Sequence, residues 1–146
     1  PGNSIDHELL ARQINDISEK FKIKSVGLDP YMKDSVMNYL SEVKGGRFKV
    51  NLFSQSISNM SFPTKELEKS IVDGKVQHLG NPVFSWMLSN VAVYRDPNDN
   101  IKLVKNKSTD KIDAVVSAVI ALGEWITDRS NGFGRSVYED RGVIGL

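Results

Sequence analysis

Two short apolar runs separated by one stretch of helical length most constrain what this chain can fold into. Ile23-Lys24-Ser25-Val26-Gly27-Leu28 reads as one strand, and Phe48, Val50 and Leu52 alternate as a second. Between them, from about Tyr31 to Val43, Met32, Val36, Tyr39, Leu40 and Val43 share one helical face, and Gly45-Gly46 ends the pattern. Strand, helix and strand at this spacing form a βαβ unit, whose strands pair in parallel through a right-handed crossover. The expected class is therefore α/β. In such sheets sites tend to lie beyond the carboxyl ends of the strands, and here the first strand ends on Asp29-Pro30.

The remaining pattern supplies helices and a hairpin. A first helix is expected from about Asp6 to Phe21, capped by Asp6, stapled by Ile5 and Leu10, with Leu10, Ile14, Ile17 and Phe21 as its apolar stripe. Pro63 is expected to open a short helix bearing Leu67 and Ile71 and closed by Asp73-Gly74. Asn81-Pro82, a cap followed by a first-turn proline, starts another that carries Phe84, Trp86 and Met87. Val91 to Arg95 and Ile101 to Val104 flank Asp96-Pro97-Asn98-Asp99-Asn100 as a hairpin. The last strong helix is expected from about Thr109 to Thr127, apolar almost all round and hence buried. Beyond it, residues 128–146 hold Gly132, Gly134, Gly142 and Gly145 among scattered charges, and read as a mobile or partner-ordered tail.

Bulk properties narrow the function classes without choosing among them. The chain has 146 residues, 40% of them apolar and 25% charged, which suits one folded domain rather than disorder. Its net charge of +1 does not by itself announce a nucleic-acid partner. Without cysteine there is no disulfide framework, thiolate chemistry or zinc ribbon. No apolar run approaches the roughly 20 residues that span a bilayer, so no membrane partner is expected. Pro1-Gly2-Asn3-Ser4 has neither an initiator methionine nor signal-peptide regions, and the expectation is a domain excised from a longer protein. A phosphate-binding Gly-x-x-x-x-Gly-Lys loop and a Gly-x-Ser-x-Gly elbow are both absent.

Two carboxylates carry the chemical interest. Asp29 ends a strand, where the default role is a turn aspartate and the alternative a site residue. Asp113 falls in the first turn of the final helix, embedded among apolar residues. There it is either a carboxylate favoured by the helix dipole, with Lys111 nearby, or a metal ligand. A strand-end carboxylate and one on a covering helix can converge on a single ion. A two-metal site ordinarily takes a third acidic ligand, and none stands out here.

Other polar groups stay open between two roles. His78, before Gly80, is either a hydrogen-bonded loop residue or a base or ligand. Lys102, Lys105, Lys107 and Lys111 are opposed in their run only by Asp110. They form either a solvated hairpin edge or a set of phosphate contacts beside the carboxylates.

At this point the motifs resemble a known family, the C-terminal nuclease domain of tailed-phage terminase large subunits. In the family's order they are Val26-Gly27-Leu28-Asp29-Pro30, then Pro63-Thr64-Lys65-Glu66-Leu67-Glu68. His78-Leu79-Gly80-Asn81-Pro82-Val83 follows, with Trp86-Met87-Leu88-Ser89-Asn90-Val91. The last is Lys107-Ser108-Thr109-Asp110-Lys111-Ile112-Asp113-Ala114-Val115-Val116. Together they cover most of residues 20 to 123.

The resemblance implies a ribonuclease-H-like fold, a mixed sheet flanked by helices, with residues 1–127 a partial nuclease domain lacking its first strands. Asp29 and Asp113 match two of the family's acidic metal ligands, and the first catalytic aspartate, on an earlier strand, has no counterpart. The upstream ATPase domain has none either, so an isolated chain is expected to be inactive. The implied cofactor is Mg2+ or Mn2+, two ions in the complete domain. The implied role is cleavage of concatemeric double-stranded DNA in the host cytoplasm, at the viral prohead during packaging. Portal protein and the terminase small subunit are the implied partners. Lys102, Lys105, Lys107 and Lys111 are the expected DNA contacts, with His78 and Asn81 as supporting residues. The alternatives are a non-catalytic docking module of the packaging motor and a resolvase- or integrase-type core; the latter should not carry the Trp86 and Asn90 block. A strand from Ile23 to Leu28 without its neighbour is an open apolar edge, so self-association is a further expectation.

Overall fold

Parallel pairing, as the spacing predicts, organises the first part of the chain. The computed structural model describes residues 6–43, 48–105 and 107–133. Strand β1 (Ser25–Leu28) lies beside β2 (Lys49–Leu52) in register, Ser25 opposite Lys49 and Leu28 opposite Leu52. The ladder continues past both ends, from the Lys49 amide to the Lys24 carbonyl (3.0 Å) and from Phe53 to Leu28 (2.8 Å). Two helices precede and join these strands, α1 (His7–Lys20) and α2 (Lys33–Val43), the second entered through a 3-10 turn at Pro30–Met32.

Asp6 caps α1 as its sequence position suggests, its carboxylate accepting from the Leu9 amide at 3.0 Å. Ala11, Val36, Leu40 and Phe48 form the buried core of this part, with Leu10, Ile14, Ile23, Val26, Leu28 and Val50 packed against them. The expected α1 stripe is therefore corrected. Its buried face centres on Ala11, which lets α1 approach α2 closely, and Ile17 and Phe21 are exposed. Ile5 of the expected staple, Gly45 and Gly46 lie outside the described residues.

The chain divides into two compact units, Pro1–Ser56 and Ile57–Leu146. The second holds α3 (Ile57–Val72), α4 (Pro82–Ser89), the antiparallel strands β3 (Val93–Arg95) and β4 (Ile101–Leu103), and α5 (Asp113–Phe133). Its core is Met60, Ile101, Ile112, Val115, Val116, Val119 and Ile120. Helix α3 packs on both β4 and α5. The buried Ser61 hydroxyl accepts from the Ile101 amide at 3.1 Å, which ties α3 to the hairpin.

Pro63 does not open α3 but lies inside it. A proline in a helix removes one N–H bond and disturbs the preceding turn. Here the turn before it is retained because Met60, Ser61, Pro63 and Thr64 are all buried, so packing outweighs local propensity. The end of α3 follows the sequence signal: Gly74 adopts φ +66°, and the Gly74 and Lys75 amides donate to the Ile71 and Ser70 carbonyls. That pair of bonds is a Schellman closure, which favours glycine at this position.

Helix α5 begins at Asp113, later than the periodicity suggests, and runs on to Phe133. Its expected first turn is used elsewhere: the Thr109 amide donates to the Asn90 carbonyl and the Ser108 hydroxyl to the Val104 carbonyl. At the far end the Arg129 guanidinium lies over the Trp125 ring, 4.6 Å from its centroid, a pair that supports the last turns. Residues 128–133, read from sequence as tail, are thus helical, and residues 134–146 lie outside the description. Among the described residues no helix is long and apolar enough to cross a membrane.

Candidate functional site

Asp29 stands where the parallel strands end. Its backbone (φ −59°, ψ 130°) leaves β1 and caps the 3-10 turn, with Oδ1 accepting from the Tyr31 amide at 2.9 Å. Oδ2 accepts from the side-chain amide of Gln55, which lies just beyond β2. The half-buried carboxylate is therefore fixed from two directions, by the turn after β1 and by the segment after β2. The turn role and a site role do not compete here, because each oxygen that accepts one hydrogen bond keeps a second lone pair.

Asp113 is the first residue of α5. The expectation that it is embedded in the core is corrected: its side chain is 56% exposed. The helix buries Ile112, Val115, Val116, Val119 and Ile120, and at 100° per residue Asp113 falls at the edge of that stripe, in the helix's first turn. Oδ1 accepts from Lys105 Nζ at 2.6 Å. That hydrogen bond first, then the charges of Lys105 and Lys111, hold the carboxyl below the ordinary aspartate range against the opposing effect of partial burial. Lys105, Ser108, Asp110, Lys111, Ile112 and Asp113 line a pocket of about 300 Å3. Its charged lining is balanced, two carboxylates (Asp110 and Asp113) against two ammonium groups (Lys105 and Lys111).

The four lysines do not form one row. Lys105 and Lys111 belong to the Asp113 pocket. Lys102 pairs across the hairpin with Tyr94, and Lys107 sits 5.7 Å from the centroid of the Tyr94 ring. His78 is exposed, its ring 5.4 Å from that of Phe84. Asn81 caps α4, its Oδ1 accepting from the Val83 and Phe84 amides at 3.0 Å each.

Among the described residues no group of three or more His, Cys, Asp or Glu side chains could together hold a metal ion. The donor chemistry nevertheless suits a hard divalent cation. Asp29 and Asp113 offer carboxylate oxygens, each already oriented by a hydrogen bond, as ligating carboxylates usually are. The sequence pattern does not single out Gln55, whose amide orients Asp29, or Met87, whose Sδ accepts from the Ala114 amide at 3.3 Å beside Asp113. For Gln55 the available signal was that parallel strands bring their carboxyl ends to one edge. Met87 gave none, because a thioether acceptor cannot be told from a core methionine by pattern.

Comparison with known proteins places these elements. A family model described as the terminase large subunit, endonuclease domain, matches residues 2–128. Protein YmfN of Escherichia coli strain K12 is 27% identical over 124 residues, covering 84% of this chain and 27% of that protein. The terminase large subunit of Enterobacteria phage HK97 is 28% identical over 123 residues, covering 84% of this chain and 24% of that protein. The crystal structure of the HK97 bacteriophage large terminase superimposes with a TM-score of 0.76 at 26% identity, over 85% of this chain and 26% of that one. The chain thus spans about a quarter of the length of the curated relatives it matches. The likeness also bears out the α/β, ribonuclease-H-like class of the fold.

Proposed function

The chain belongs to the terminase large subunit endonuclease domain family, and from that premise we propose that its parent protein cuts double-stranded DNA during viral genome packaging, with Asp29 and Asp113 among the metal ligands. The parent would act in the host cytoplasm, at the prohead, with portal protein and the small subunit as partners. The observation that carries the reading is the state of the two aspartates in the matched motifs. Each stands at the end of a regular element, with its carboxylate already oriented. Asp29 is held by Tyr31 and Gln55, and Asp113 by Lys105.

Asp29 and Asp113 would hold Mg2+ or Mn2+, which when bound supplies Lewis-acid stabilisation of phosphoryl charge and a water nucleophile at neutral pH. The chain's own residues do the rest. Asp113, its carboxyl held low, stays ionised at neutral pH and available as an anionic ligand. Lys105 and Lys111 bring positive charge to the rim of the same pocket, where a phosphate would be drawn in. Lys102, the cross-strand partner of Tyr94, and Lys107, over the Tyr94 ring, would grip the DNA backbone away from the chemistry.

The test is substitution in the intact parent protein. Asp29→Asn and Asp113→Asn keep side-chain size while removing the anionic ligand, so each should abolish DNA cutting with magnesium and leave thermal stability nearly unchanged. A normal cutting rate in either variant would remove that residue from the site.

A further inference from the structure

We propose that Asn90 is a positioning residue for Asp113, acting with Met87 as a latch on the segment that carries the pocket. Asn90 ends α4 and is 8% exposed. Its Nδ2 donates to the Lys111 carbonyl at 3.2 Å, and its own carbonyl accepts from the Thr109 amide at 3.2 Å. One buried residue therefore grips the chain at two points just before Asp113.

Met87, one turn earlier on α4, supplies the next tie. Its Sδ accepts from the Ala114 amide at 3.3 Å. Ala114 is the second residue of α5, and its N–H is one of the first-turn donors that a helix cannot satisfy internally. The residue before the helix is Ile112, which has no side-chain acceptor to cap with, and a thioether is a weak but usable substitute. The Val115 and Val116 amides donate to the Ile112 carbonyl at 3.0 Å each, and the Ile112 side chain is buried. Ser108 fixes the entry: its hydroxyl donates to the Val104 carbonyl and accepts from the Ala92 amide.

The result is a backbone tied at Ser108, Thr109, Lys111, Ile112 and Ala114, around a carboxylate that itself faces solvent. Packing alone would not ask for an asparagine here. A buried carboxamide is costly unless hydrogen-bonded, and an apolar residue would fill the space without that cost. What the asparagine adds is direction: it sets the Lys111 carbonyl, and through it where Asp113, Lys105 and Lys111 face one another. This inference rests on the reading of Asp113 as a ligand, and its test separates the two.

The experiment uses the whole chain with Asn90→Leu, close in volume and neutral but without a donor, and Met87→Leu, which keeps volume and removes the acceptor. Amide hydrogen exchange is followed at Thr109 and Ala114, with Val119 in the core of α5 as the internal reference, and Mn2+ affinity is read from paramagnetic broadening at Ala114. The latch predicts exchange about tenfold faster at Thr109 and Ala114 in Asn90→Leu, and at Ala114 in Met87→Leu, with Val119 unchanged. It predicts Mn2+ affinity lower by about tenfold in Asn90→Leu, the lower end of the loss usual when a residue orienting a ligand is changed, and lower in Met87→Leu as well.

Exchange unchanged at both amides, or raised equally at Val119, would overturn the latch. Faster local exchange with wild-type Mn2+ affinity would overturn the positioning role. If Asn90→Leu does not fold, Met87→Leu decides on the Ala114 amide and the Mn2+ affinity together. If the unmodified chain shows no Mn2+ effect at Ala114, the ligand reading of Asp113 fails, and the exchange arm still decides the latch.

Discussion

Lys105 Nζ lies 2.6 Å from Asp113 Oδ1, joining the segment after the hairpin to the first residue of α5. Both side chains are more than half exposed, and an exposed pair of this kind is worth only about 0–1 kcal/mol to folding. Its consequence is electrostatic. The ammonium keeps the carboxyl ionised and at the same time competes with any cation for it.

Replacing Lys105 with glutamine should therefore move two affinities in opposite directions. Mn2+ binding should tighten, because a positive charge is removed from beside a ligand. DNA binding should weaken, because one cation facing the phosphates is removed. Stability should change by no more than about 0.5 kcal/mol, as for most surface substitutions. Isothermal titration with Mn2+ and a DNA-binding assay at matched salt check the pair of signs; weaker Mn2+ binding would mean that Lys105 supports the carboxylate rather than competing for it.

The division of the lysines predicts which of them affect DNA grip alone. Neutralising Lys102 and Lys107 together should weaken binding equally across DNA sequences. The dependence of log K on log salt should become shallower by roughly 0.9 for each phosphate no longer neutralised. Cutting at saturating DNA should be nearly unaffected. An unchanged salt slope would identify these residues as the solvated edge of the hairpin, with Lys107 held by Tyr94 for packing.

Acid stability should trace to the hairpin loop. The Asn100 side chain, together with the Asn100 and Asn98 amides, holds the Asp96 carboxyl below the ordinary value of 3.8, and Lys65 followed by Arg95 does the same for Asp99. A carboxyl lowered in the folded state contributes stability that is present above its unfolded value and lost as pH falls through the folded one. The melting temperature should accordingly fall as pH drops below about 4. Asp96→Asn, which cannot titrate, should lose less on acidification than the unmodified chain. Equal losses in the two would show that other groups govern acid unfolding.

Local signals in the sequence were legible wherever the chain satisfied them locally. Asn81-Pro82 caps α4, Asp73-Gly74 closes α3, and Asp96 accepts from the Asn98 and Asn100 amides inside the hairpin loop. The βαβ spacing gave the parallel pair, and Asp29 followed from it as a strand-end residue. What failed depended on neighbours distant in sequence. Pro63 looks like a helix start until Met60 and Thr64 prove to be buried beside it. The start of α5 is set by Asn90 and Met87, and without them Thr109 is as good a beginning as Asp113. Spacing alone showed four lysines in one run, but the turn between β4 and α5 separates them into a pocket pair and a hairpin pair.

The most direct test of the central claim is a Mn2+ titration of the chain, read as paramagnetic broadening of the Tyr31 and Ala114 amides. These amides report on Asp29 and Asp113 respectively, the first by hydrogen bond and the second by sequence adjacency. The proposed ligand roles predict that Mn2+ broadens both signals, that Asp29→Asn removes the effect at Tyr31 and that Asp113→Asn removes the effect at Ala114. Broadening that survives loss of the aspartate it reports on, or no broadening at either amide, would contradict them.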